Sequence, residues 1–502
     1  MSIFDNLWLG FEVALTGINL LYCLIGVTLG TFIGVLPGLG PLVTISMLLP
    51  ITFNLSPTAG LIMLAGIYYG ASYGGSTTAI LVNLPGESSS VVTCLDGHAM
   101  ARQGRAGPAL AIAALGSFFA GTVATAILAL FAPPLAGWAL AFGSPEYFSL
   151  MLVGLFTAAA LAHGSMLKSL AMVVLGLLLG SVGTDVNTGV YRLTFGVPEL
   201  VDGLSFVVIA MGMFGIAEIV ANLEKRESRE VFTSAVGTLM PTLRDLRDSW
   251  APILRGTAIG SFMGILPGAG TTISSFLSYI AEKRIARDPG RFGKGAIEGV
   301  AGPESANNAA AQTSFIPTLT LGIPGSGTMA LMLGALTIYG IQPGPRVMTS
   351  HPDLFWGLVV SMWIGNFILV VLNLPLVGIW VQMLKTPYRM LYPSIVVLCC
   401  VGAYTLSNTT TDVILMAVFG VLGYLLVKLE CEPAPLLLGF VLGPMMEENL
   451  RRSMLLSRGD PSIFVTQPIS LALLVSAAVL LALLIVPSIR NKRDEAISEG
   501  ES

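Results

Sequence analysis

Charge is scarce in this sequence. Only 11% of its 502 residues are Asp, Glu, Lys or Arg, where a soluble chain carries roughly 25%. That is too little to cover a water-soluble surface, so a soluble globular fold is excluded. Histidine is scarcer: His98, His163 and His351 lie too far apart in sequence to suggest a metal site. The five cysteines (Cys23, Cys94, Cys399, Cys400, Cys431) are scattered and odd in number, without metal-ligand spacing. They read as small apolar packing residues, not as a disulfide framework or a zinc site. No His-Glu-x-x-His helix and no Cys/His cluster occurs, which removes the usual grounds for a metal-dependent intramembrane enzyme. The N-terminus, Met1-Ser-Ile-Phe-Asp-Asn, lacks a basic region and a small-residue cleavage site, and reads as uncleaved.

Apolar sequence fills the gap. Hydrophobic residues make up 54% of the chain and mean hydropathy is +0.81. Long apolar runs recur, among them Leu110 to Leu130, Leu354 to Val377 and Ile469 to Val486. Such runs suit a bilayer core of roughly 30 Å. The expectation is an all-α polytopic membrane protein with about 10–14 membrane segments. The net charge of −4 says little, because charge position matters more than its sum in such a protein.

One stretch occurs twice. Gly26-Val-Thr-Leu-Gly-Thr-Phe-Ile-Gly-Val-Leu-Pro-Gly-Leu-Gly40 returns as Gly256-Thr-Ala-Ile-Gly-Ser-Phe-Met-Gly-Ile-Leu-Pro-Gly-Ala-Gly270. Glycines four apart line one helix face and admit a close neighbour. The Pro-Gly that follows interrupts the helix in mid-hydrophobic sequence. A second break, Pro85-Gly86, returns as Pro324-Gly325. Two halves follow: a membrane repeat over 1–222, a charged cytoplasmic linker over 223–250, a second membrane repeat over 251–488 and a polar tail over 489–502. Residues 8–36 read as one long apolar segment, or as a leading amphipathic helix and a span. Breaks are also expected at Pro133-Pro134, Gly164 and Gly183.

Charge placement suggests how the halves lie. Residues 54–58 carry no charge, while the corresponding 282–294 carry Lys283, Arg284, Arg287, Arg291 and Lys294. After the second break the bias reverses, with His98, Arg102 and Arg105 set against Arg346 alone. Since cytoplasmic loops are rich in Lys and Arg, an inverted repeat with re-entrant hairpins is expected, and a parallel repeat is the alternative.

A helix that begins near the midplane presents unpaired N–H groups and a positive dipole end. That suits a carboxylate. The candidate substrate-binding residues are Pro37, Gly38, Gly40 and Thr44 at one first break, and Pro267, Gly268, Gly270, Thr271 and Thr272 at the other. Ser76, Thr77 and Asn308 add polar groups. Unwound carbonyls and side-chain oxygens at the second breaks suit a cation, giving Asn83, Gly86, Ser88, Thr313, Gly325 and Ser326. Ser76, Thr77 and Thr78 have a plainer alternative, bonding their own helix backbone. Glu87 and Glu304 read either as site carboxylates or as loop ends in water. A transporter with such breaks needs no cofactor, only a coupling ion, Na+ or H+. A channel built on broken helices remains the alternative.

The combined motifs resemble a known family. Gly-Val-Leu-Pro-Gly-Leu-Gly-Pro (34–41), Tyr-Tyr-Gly-Ala-Ser-Tyr-Gly-Gly-Ser-Thr-Thr (68–78), Asn-Leu-Pro-Gly-Glu (83–87), Pro-Glu-Ser-Ala-Asn-Asn-Ala (303–309) and Gly-Ile-Pro-Gly-Ser (322–326) are similar to the large, TctA-type permease subunit of tripartite tricarboxylate transporters. The resemblance implies a secondary transporter of the bacterial inner membrane that takes up di- or tricarboxylates on an ion gradient. It also implies two partners, a small TctB-type membrane subunit and a periplasmic TctC-type solute-binding protein, and no nucleic acid. Two opposed hairpins further resemble elevator-type transporters.

Overall fold

The computed structural model describes residues 2–161, 165–185, 187–224, 239–266, 270–384 and 388–485. The expected break at Gly164, most of the charged linker, Pro267-Gly268 and the polar tail lie outside them.

The leading run divides into α1 (Ile3–Ala14), closed at its start by a Ser2/Asp5 capping box, and α2 (Gly17–Gly34). After a turn, α3 (Pro41–Thr52) starts from Gly40, and α4 (Pro57–Val82) starts from a Ser56 cap. Short helical turns over 88–102 lead to α5 (Ala106–Ala139), α6 (Ser144–Leu161) and α7 (Met166–Gly180). A small antiparallel hairpin, β1 (Gly183–Thr184) with β2 (Tyr191–Arg192), precedes α8 (Phe206–Glu224), which contains a π turn at Met211–Ile216.

The second half opens with α9 (Leu243–Ile265), α10 (Gly270–Ile285), α11 (Glu298–Thr313), α12 (Phe315–Leu321) and α13 (Gly327–Ile338). It continues through α14 (Pro352–Asn373), α15 (Val377–Leu384), α16 (Tyr388–Ser407), α17 (Thr410–Lys428), α18 (Ala434–Leu456) and α19 (Pro468–Ile485).

The break expected at Pro133-Pro134 is absent, and α5 runs through both prolines. Their missing N–H groups would have bonded residues 129 and 130, near the helix end. Ala124, Ala129, Ala132 and Ala136 stay buried along that stretch, and their packing holds the helix together.

The repeated glycines do equivalent work. A Cβ on Gly26, Gly30 or Gly34 would land on the carbonyl oxygen of Met63, Ile67 or Ala71 in α4. A Cβ on Gly256, Gly260 or Gly264 would land on that of Gly302, Ala306 or Ala310 in α11. Each stripe lets two backbones touch. The halves then cross over, with α11 packed on α5 and α4 on α14.

α4 is buried from Ala59 to Val82 and α11 from Gly299 to Thr313. These are the polar helices, rich in Ser, Thr, Asn and Gln. Apolar residues instead face outward from the periphery, for example Phe131, Val397, Ile414 and Val421. That inversion is what lipid selects. Among the described residues α2, α5, α8, α14 and α17 are long and apolar enough to cross a membrane, and α3, α7 and α13 are shorter apolar helices. The chain is an all-α, multi-pass membrane protein.

Loop contacts tie distant segments together. Gln103 donates to the Lys294 carbonyl (2.8 Å), Asp96 accepts from the Gly295 and Ala296 amides (2.8 Å each), and Arg105 pairs with Asp245. Tyr339 donates to the Thr52 carbonyl (2.6 Å).

Candidate functional site

The interrupted helices meet around a cavity of about 580 Å³, within the range of roughly 300–1,000 Å³ typical of small-molecule sites. Four helix starts contribute to its wall: Gly40–Val43 of α3, Gly270–Ile273 of α10, Ser326–Thr328 of α13 and Pro433–Pro435 of α18. First-turn amides have no intrahelical partner, and they carry the positive end of the dipole. Pro41, Pro433 and Pro435 have no N–H, so at α3 and α18 the wall's donors are those of Leu42, Val43 and Ala434. The wall is completed by Pro85–Ser88, by Phe214, Glu218 and Asn222 of α8, and by Tyr68 and Leu438.

Local sequence explains the turns. Gly38 has φ +79°, and a Cβ there would also strike the Asn222 side chain, so this position requires glycine twice over. Asn83 ends α4 at φ 58° and Gly322 ends α12 at φ 72°, the left-handed cap that precedes Leu-Pro-Gly in one half and Ile-Pro-Gly in the other. Ser326 then caps α13 by accepting from the Met329 amide (3.2 Å). Ser88 and Thr272, one from each half, share a hydroxyl hydrogen bond of 2.8 Å.

The wall's charge has one sign. Glu87, Glu218 and Glu432 reach it, and no Lys, Arg or His is among its described residues. Glu87 Oε1 accepts from Ser89 (2.5 Å) and from Asn307 Nδ2 (3.0 Å). Behind it, Glu304 on α11 is 1% exposed. Ser76 donates to its Oε2 (2.6 Å) and Thr93 to its Oε1.

Of the residues expected to bind substrate, Pro37, Gly38, Gly40, Gly270, Thr271 and Thr272 line the cavity, and of those expected to bind a cation, Gly86, Ser88, Gly325 and Ser326 do. Others stand elsewhere. Thr44 donates to the Gly40 carbonyl (2.9 Å) and Thr77 to that of Tyr73 (3.4 Å). Ser76 lies on Glu304, and Asn83 serves as the cap of α4. Asn308 donates to Ser117 (2.7 Å) on α5, and Thr313 donates to the Ala309 carbonyl (3.0 Å) beneath Gly264. Pro267 and Gly268 lie outside the described residues. Gly70-Ala-Ser-Tyr-Gly74 has the spacing of a nucleophile elbow, yet it is mid-helix in α4, with Ser72 donating to the Tyr68 carbonyl (3.2 Å).

Sequence reasoning missed Glu218, Asn222 and Glu432. A signal existed: Glu218 and Asn222 are polar residues four apart in an apolar span, and Glu432 precedes a Pro-Ala-Pro helix start.

The family model of the tripartite tricarboxylate transporter TctA family matches residues 20–438. An uncharacterized 52.8 kDa protein from the TAR-I ttuC' 3' region of Agrobacterium vitis is 59% identical over 501 residues, covering 100% of both chains. An uncharacterized protein from the TAR-II ttuC' 3' region of the same organism is 58% identical over 242 residues, which is 48% of this chain and 100% of its own. No solved structure matches. The chain belongs to the tripartite tricarboxylate transporter TctA family.

Proposed function

We propose that this chain is the large permease subunit of a receptor-dependent transporter that takes up a di- or tricarboxylate by symport with a cation, Na+ or H+, and that the cavity is its substrate site. The convergence of four helix starts on one cavity carries this reading. Their amides supply positive potential without a basic side chain, so an organic acid is held by dipoles and hydroxyls and can still leave. A dehydrated anion in such a cavity needs compensating positive charge beyond the helix dipoles, and a co-transported cation supplies it.

Further features favour the transporter architecture. The start of α9, where Asp245 pairs with Arg105, and the end of α10 lie with the basic loops, while α3 ends beside Tyr339. That supports two re-entrant hairpins in an inverted repeat, with the basic face in the cytoplasm of a bacterial inner membrane. A TctB-type membrane subunit and a TctC-type periplasmic binding protein complete the assembly, as the tripartite family suggests.

Gly38→Ala tests the site. Its added Cβ strains a left-handed position and strikes Asn222, so carboxylate uptake into proteoliposomes holding the assembled transporter falls at least about ten-fold. The variant still reaches the membrane. Uptake at the wild-type rate would overturn the assignment.

A further inference from the structure

We propose that Glu304 carries the coupling proton, its carboxyl passing between charged and neutral forms as Ser76 turns its hydroxyl. This rests on the carboxylate-symport reading above and names the residue that performs the coupling. Glu304 is 1% exposed, and both of its bonds come from hydroxyls, Ser76 and Thr93. A hydroxyl can donate or accept. Ser76 Oγ lies 2.6 Å from Glu304 Oε2 and also 3.2 Å from the Ser72 carbonyl. With the carboxyl charged, Ser76 donates to Oε2. With it neutral, the Glu304 O–H donates to Ser76 Oγ and Ser76 turns its own proton to the Ser72 carbonyl. Thr93 donates in both states, so every group stays bonded without a backbone movement.

Glu87 is held differently, its Oε1 accepting from the Ser89 hydroxyl and from Asn307 Nδ2, which can only donate. It lines the cavity wall. Asn307 is three residues beyond Glu304 on α11, so the two carboxyls stand one turn apart, one lining the cavity and one behind it. The other titratable groups around Glu304 are Tyr73 on α4 and Cys94 in the turns after Thr93. Further along α11, Glu282 on α10 is closed on Arg255 of α9, and Asp96 is closed on Tyr279 and two backbone amides. His98 sits at the Ile80 carbonyl, and α5 brings Ser117 against Asn308. One proton enters from water through the cavity, neutralises Glu304 while the anion is bound, and leaves to the opposite side with it. No redox partner is needed.

The test uses the permease with its two partners in sodium-free proteoliposomes loaded with a pH dye. Exchange of labelled for unlabelled citrate without any gradient checks the carboxylate reading by itself, and its absence from wild type would remove that reading, not the role of Glu304 alone. Wild type acidifies the lumen on citrate addition, and an inward proton gradient accelerates its uptake. Glu304→Gln keeps exchange within about ten-fold of wild type but loses both acidification and gradient response. A Glu304→Gln protein that still acidifies the lumen overturns the proposal, as does a wild type that takes up citrate without proton entry once an inward sodium gradient is added in a parallel run. Ser76→Ala keeps the carboxyl and tests it independently of that variant. Its charged form loses the stronger bond, so the pH midpoint of gradient-driven uptake rises by about one unit. An unmoved midpoint overturns the switch.

Discussion

A single methyl group decides whether α2 can lie on α4. Gly30 has the Ile67 backbone where its Cβ would be, whereas Gly137, near the end of α5, has nothing within 4 Å. Gly30→Ala must push two helices apart and should cost about 1–3 kcal/mol, read as a lower Tm of the detergent-solubilised protein. Gly137→Ala should be neutral or raise stability by about 0.5–1 kcal/mol, because only backbone freedom changes. The glycine stripes were legible because a spacing of four is itself a statement about a helix face. Asn83 and Thr313 were not legible in the same way. Their side chains declare what they can bond, but the fold chose a left-handed cap for one and a neighbouring carbonyl for the other.

At the level of elements, the hairpin β1–β2 shows how an extramembrane loop is anchored. Arg451 of α18 forks onto both Asp185 oxygens (2.8 and 3.3 Å) and also meets Glu447 (2.7 Å), which in turn accepts from Arg192 of β2 (2.9 Å). The Asn187 backbone N–H is the largest influence on Asp185. Burial opposes it, Thr188 and Arg451 add to it, and the carboxyl is held down at about 2, below its usual 3.8. A depressed carboxyl stabilises the fold above its usual value and loses that contribution as pH falls through its folded one, here between about pH 4 and pH 2. Wild-type hairpin amide exchange should therefore show no loosening from this group between pH 5 and 7. Asp185→Asn should speed exchange across 183–192 about ten-fold at pH 7, on the order of one lost charged hydrogen bond. The sequence suggested only a break at Gly183 here, because the anchor lies more than two hundred residues away.

For the whole molecule, sidedness is the property that the loops share. The turns before α5 and the run before α11 meet on one face, although about 190 residues separate Gln103 from Lys294. With basic residues on the cytoplasmic side, Arg287→Cys should react with a membrane-impermeant maleimide only after lysis, and Tyr191→Cys should react in intact cells. Labelling of both from the same side would break the proposed inverted arrangement.

Composition by itself determined that the chain lives in a membrane, since so little charge cannot solvate so large a surface. Duplicated glycine and Pro-Gly spacing determined where helices stop and which faces lie close, because those are local backbone properties. Tertiary structure alone decided that four helix starts share one cavity, that Glu218, Asn222 and Glu432 join it, and that Glu304 is buried behind it. Those facts depend on which helices cross over between the halves, and such a choice is made by packing energy summed across distant segments.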